Sequence, residues 1–227
     1  MSWVRSSIGK KAVMAASGLL LVGFAIIHLS GNLIVFLGPE AFNAYAKKLR
    51  DLGPLLWAAR VALLAAAAAH IWTAVQLARE NRAARPIGYR VQRTIQTTLA
   101  AKTMVASGLL LLAYLVYHLM HFTFRVTDPG LAHLMDAQGH PDVYAMVVRG
   151  FRSGPVSALY IAAMGLLYFH LSHGFGSAFH SLGLNNERAL TRFRRASQAL
   201  ALALFLGYIS IPLAVLLGAV QLPGGQP

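Results

Sequence analysis

Two stretches of this chain set imidazoles three residues apart inside apolar runs: YLVYHLMHF at 114–122 and LLYFHLSHGFG at 166–176. His28 and His70 stand in similar surroundings, one to a run. An ionisable side chain in such a setting is costly to desolvate and marks a functional site with a partner. A neutral imidazole offers one nitrogen lone pair to a metal and one N–H to an acceptor. The chain contains no cysteine. Iron–sulfur clusters, covalently attached c-type haem, disulfides and thiol catalysis are therefore excluded within it.

The elements that must position these histidines follow from composition. Of the 227 residues, 57% are hydrophobic and only 12% charged. A hydrocarbon core of about 30 Å needs roughly 20 apolar helical residues. Five runs meet that length, at about 12–37, 54–79, 97–124, 155–180 and 199–220. The expected fold is all-α: one transmembrane domain over residues 1–227, with five helices in a bundle. The run after Lys10-Lys11 is too long for a signal-peptide core and lacks a convincing small-residue cleavage site. Pro54 suits a first helical turn, and Pro212 predicts a kink near the end of the fifth span.

Five spans put the termini on opposite sides. One side then carries 13 Lys/Arg against Glu80 and Glu187. The other carries seven, against Glu40, Asp51, Asp128, Asp136 and Asp142. The net charge of +13 thus reads as topology rather than nucleic-acid binding, with the N-terminus cytoplasmic and the C-terminus outside. The second connection, RENRAARPIGYRVQR, is a basic cytoplasmic surface, suited to anionic lipid and to docking soluble subunits.

An internal repeat selects among the histidines. SGLLLVGFAIIHL at 17–29 and SGLLLLAYLVYHL at 107–119 share Ser, Gly, three Leu, His and Leu at equal spacing. The first and third spans run in the same direction, so His28 and His118 share a depth about 25 Å from a cytoplasmic lysine, nearer the outside. Gly-Pro precedes both His70 and His170 by similar intervals in the second and fourth spans. Those spans run the opposite way, and their histidines lie nearer the cytoplasm. Four spans offer four histidines, paired at two depths.

Bis-histidine ligation of b-type haem uses such pairs directly. One imidazole takes each axial position of the iron, and the closed site favours electron transfer over oxygen chemistry. Gly23, Gly31, the alanines of 65–69 and Gly174 are expected to let the flat ring approach the backbones. Three other readings use the same residues. Each histidine could simply hydrogen-bond a neighbouring helix, although pairing in depth and repetition argue against four such cases. Di-iron membrane enzymes need denser histidine boxes on one face. A proton-coupled transporter would lack the usual carboxylates, since no Asp or Glu lies inside an apolar core.

The ordered set HLSGN at 28–32, PEAFN at 39–43, the histidine of the second span and HLSHGFGSAFHSLG at 170–183 resembles a known family. The family is the cytochrome b membrane-anchor subunit of bacterial succinate:quinone oxidoreductases, of the single-chain, five-helix, two-haem type. The similarity covers roughly residues 5–215. It implies haem b axial ligation by His70 and His170 on the cytoplasmic side, and by His28 and His118 on the outer side. The register that counts back from Gly183 selects His170 over His173. The resemblance further implies a flavoprotein subunit and an iron–sulfur subunit on the cytoplasmic side, and electron transfer to a quinone in the bacterial inner membrane, menaquinone in this class. A di-haem cytochrome b serving a membrane hydrogenase or formate dehydrogenase is the alternative.

Quinone chemistry moves protons and needs a polar group at the membrane edge. Glu40 in PEAFN, Asn32 one turn beyond His28, and Asp51 are the candidates. Arg79 is a candidate for neutralising haem carboxylates, and His180 for meeting them or water. The third connection, residues 125–154, is expected as an extended outer loop with His133 and His140 in solvent.

Overall fold

A computed structural model describes residues 6–84, 99–184 and 186–225. The segments rich in leucine and alanine form helices, as their propensity and hydropathy require. Helix α1 spans Ser7–Asn32 and tightens into a 3-10 turn at Leu33–Leu37. Helix α2 covers Pro39–Asp51 and α3 covers Pro54–Ala83. A single turn, α4 (Leu99–Lys102), precedes α5 (Met104–His118), which continues as a π-helical turn over Leu119–Thr123. Helix α6 is Val143–Arg152, α7 is Gly154–Ser181 and α8 is Glu187–Leu216. No strand occurs among the described residues.

Five helical segments are long and apolar enough to cross a membrane: Ser7–Leu37, Pro54–Ala83, Met104–Thr123, Gly154–Ser181 and Leu190–Leu216. This is the architecture of a multi-pass membrane protein. Their outward faces are as apolar as their inward ones, with Leu64, Trp57 and Trp72 each more than 60% exposed. That pattern suits a hydrocarbon solvent, where exposed apolar surface carries no penalty.

Two helices begin before the spans expected from hydropathy. The first begins at Ser7 rather than near residue 12, and α8 begins at Glu187 rather than near 199. The basic turns of LTRFRRASQ extend α8 beyond its apolar core, because arginine is a good helix former and its long side chain keeps the charge in water. Helix α8 continues as one helix through Pro212 and ends at Leu216, before Gly218. The start of the third span near Thr97 and most of the basic second connection, residues 85–98, lie outside the described residues.

The described residues fall into two compact units. The first comprises the described parts of Met1–Ala25, Ala59–Gly108 and Tyr168–Leu202, and the second those of Ile26–Ala58, Leu109–Leu167 and Ala203–Pro227. In the second unit the connections are structured. Gly38, at φ 93°, occupies a backbone region that favours glycine and lets Pro39 open α2 at once. The third connection is not simply a loop, because it contains α6, whose Val148 is fully buried. VYAMVVRGFR is too short to span a bilayer, and burying its apolar face stabilises it as a helix.

Helices α2 and α6 are joined through polar groups. Asn43 Nδ2 donates to Asp142 Oδ1 at 2.9 Å, and Tyr144 N–H donates to Asn43 Oδ1 at 3.0 Å. The same Asp142 oxygen caps α6 by accepting from Ala145 N–H at 2.8 Å. Around this contact pack Val35, Phe42, Phe151, Tyr160 and Ile211.

Candidate functional site

The four histidines selected by the repeat form two pairs, one in each unit. In the first unit His70 of α3 faces His170 of α7, with ring centroids 6.4 Å apart. In the second unit His28 of α1 faces His118 of α5, with centroids 6.0 Å apart. A metal–imidazole bond of about 2.0–2.1 Å, with the ring centroid about 1.1 Å behind the nitrogen, places two axial imidazoles roughly 6.2–6.4 Å apart. Both pairs are close to that spacing. Four imidazoles on apolar helices, with two to a site, are also the donor set of a bis-histidine haem.

Tautomers in the first unit are set by the neighbours of each ring. His70 Nδ1 lies 3.2 Å from the Met14 carbonyl oxygen, which can only accept, so Nδ1 carries the proton. His170 Nδ1 lies 3.1 Å from Ser107 Oγ, whose own hydroxyl donates to the Met104 carbonyl at 3.2 Å. With its hydroxyl proton on Met104, Ser107 Oγ can accept from His170 Nδ1. Each ring keeps its Nε2 lone pair for a metal, with its orientation held by an N–H bond.

The repeat contributes to this pair as well. A Cβ added at Gly18 would meet His70 Cε1 at 3.1 Å, and one at Gly108 would meet His170 Cε1 at 3.5 Å. The shared Ser-Gly of the two segments thus lies against one histidine pair, while their shared His-Leu supplies the other. Of the glycines expected to admit a flat ring, Gly23 faces open space. Gly31 instead makes room for the Tyr45 ring, and the nearest atom to a Cβ at Gly174 is Met104 Cε, at 3.6 Å.

Around the second pair the structure brings in tyrosines that sequence reasoning missed. Tyr160 OH lies 3.3 Å from His118 Nδ1 and 3.0 Å from His121 Nδ1, bridging the two imidazoles of YLVYHLMHF. Tyr208 of α8 stands 6.3 Å from the His28 ring. A tyrosine inside an apolar run needs a partner for its hydroxyl, and that was the available signal. His121 is buried against Phe122 and Tyr160 within the π-helical turn. His173 is half-buried.

The remaining candidates are placed as follows. Glu40 is exposed in the first turn of α2, where a carboxylate complements the helix dipole. Asp51 is exposed at the other end of α2, 2.7 Å from Lys47, and that hydrogen bond holds its carboxyl below the usual range. The two acids therefore do not meet in one site. Asn32 is half-buried at the end of α1. Arg79 is exposed and does not line the cleft of about 370 Å³ beside Met14, whose polar walls include Lys11, Asn81 and His180. Asn81 stands one turn beyond Leu77 on the cleft face of α3, whereas Arg79 projects elsewhere. His133 is exposed, and His140 is half-buried with Nδ1 3.7 Å from Asp136.

Among the described residues no three His, Asp or Glu side chains converge, so neither pair belongs to a larger metal box. The fold and its histidines define an all-helical multi-pass membrane protein carrying two facing imidazole pairs. Compared with protein families, curated proteins and solved structures, the chain matches none.

Proposed function

We propose that this chain is a di-haem cytochrome b that anchors a succinate:quinone oxidoreductase in the bacterial inner membrane. The observation that carries the reading is the pair of facing histidines in each unit, at 6.0 and 6.4 Å, within helices fit to span a bilayer. His70 and His170 would hold one haem b, and His28 and His118 the other. Bound haem would supply one-electron transfer between an iron–sulfur subunit and menaquinone, with no axial position open to oxygen.

The chain's own residues support that role. Met14 and Ser107 hold the His70 and His170 rings so that Nε2 is free. Tyr160 braces His118. The flavoprotein and iron–sulfur subunits would dock on the cytoplasmic side, which the arginine bias assigns to the N-terminus. Quinone would exchange protons near the outer membrane edge, with Glu40 and Asn32 as the nearest sequence candidates and Asp51 weakened by its ion pair with Lys47.

The test is a reduced-minus-oxidised spectrum of the purified chain. About two b-type haems per chain are expected, one for each histidine pair. His170→Ala should lose one haem and His173→Ala should keep both. A colourless, folded preparation made with ample haem would reject the reading. Succinate-dependent quinone reduction by the intact complex would then separate this anchor from the cytochrome of another dehydrogenase.

A further inference from the structure

Helices α7 and α8 present polar side chains to each other at successive turns. Ser172, His173, Ser177 and His180 lie along one face of α7, and Arg194 and Gln198 lie one turn apart on α8. Together they line a cleft of about 380 Å³ within the first unit. All six can donate hydrogen bonds, and no lining residue is acidic. Of these the haem reading draws only on His180, as a candidate for meeting the haem carboxylates. Polar side chains in a span are costly unless something satisfies them.

We infer that this cleft holds the phosphate of an anionic phospholipid. An acceptor-rich ligand suits the cleft, because Arg194 can only donate and His173, Ser177, His180 and Gln198 can each donate beside it. It must carry negative charge, because the one permanent charge in the cleft is the Arg194 guanidinium, whose fork matches two phosphate oxygens. It must reach the cleft from a membrane, because Arg194 and Gln198 are exposed on a helix whose span begins at Leu190. Arg188 and Arg195 are exposed on the same helix and add positive charge, and basic pockets between spanning helices recruit such head groups. His173 and Ser177 would donate to the remaining head-group oxygens. The inference does not depend on haem.

Native mass spectrometry of the detergent-purified chain tests it, with phosphatidylglycerol and phosphatidylcholine offered in equal amount. The wild type should retain one phosphatidylglycerol in preference to phosphatidylcholine. Arg194→Gln should lower that retention about tenfold, the loss expected for a charge-assisted contact. Arg192→Gln removes the same charge two residues away and outside the lining, and should leave retention unchanged. Gln198→Leu should weaken retention without altering charge, which keeps the test decisive if Arg194→Gln fails to fold. Equal losses in the two arginine variants would reduce the effect to surface charge and overturn the inference. Displacement by millimolar inorganic phosphate would assign the cleft to a free anion instead. Retention of a quinone lost in Arg194→Gln would also overturn it.

Discussion

The nitrogen that each histidine leaves free decides what the site can do. At His70 and His170 the Nδ1 atoms are turned to Met14 and Ser107, which leaves Nε2 of each ring for another partner. Gly18 holds this arrangement by what it lacks, since any Cβ there presses on the His70 ring. Gly18→Val should therefore turn His70 away and reduce the haem content from about two per chain to about one, measured as pyridine haemochrome. Gly108→Ala should keep both, because its Cβ would sit at an ordinary contact distance of 3.5 Å from His170. Equal haem content in the two variants would show that Gly18 does not position the ring. The pairing itself was legible in the sequence, because the repeat and the direction of the spans aligned the right histidines. The glycines against them were not, since facing positions on separate helices leave no mark in linear spacing.

Among the elements, α2 and α6 are those the sequence hid. The spans announced themselves through length and hydropathy, which depend only on local composition. Helix α6 depends on burial of a ten-residue segment by distant parts of the chain, and its N-cap, Asp142, is shared with Asn43 ninety-nine positions away in sequence. Helix α8 runs past the expected span for a related reason, because arginine-rich turns continue a helix that hydropathy alone would stop. Asn43 is the hinge of the α2–α6 contact, buried and using both ends of its amide. Asn43→Ala would strand the Tyr144 N–H and remove one bond to Asp142. Two lost bonds and a buried unsatisfied donor suggest a cost of about 2–4 kcal/mol. The cost should appear as a lower midpoint in thermal unfolding of the purified protein. An unchanged midpoint would mean that apolar packing around Val148 and Phe42 holds α2 and α6 without this link.

For the whole molecule, five spans would put the termini on opposite sides, and the charge pattern predicts which side is which. Arginine and lysine gather beside the odd entry points of the chain: its start, the second connection and the approach to α8. The bias works during insertion, when moving a positive loop across the membrane is disfavoured. It is a statement about the sequence and survives whatever the cofactor proves to be. The absence of cysteine makes it directly measurable, because every introduced thiol is the only one in the chain. Ser6, His133 and Leu184 are all exposed and lie before the first span, in the third connection and in the fourth. A membrane-impermeant maleimide added to intact cells should label His133→Cys, while Ser6→Cys and Leu184→Cys should react only after permeabilisation. Labelling of Ser6→Cys from outside would invert the topology. It would place the first-unit residues Lys11 and His180 on the outer side, and soluble subunits could no longer dock beside them from the cytoplasm.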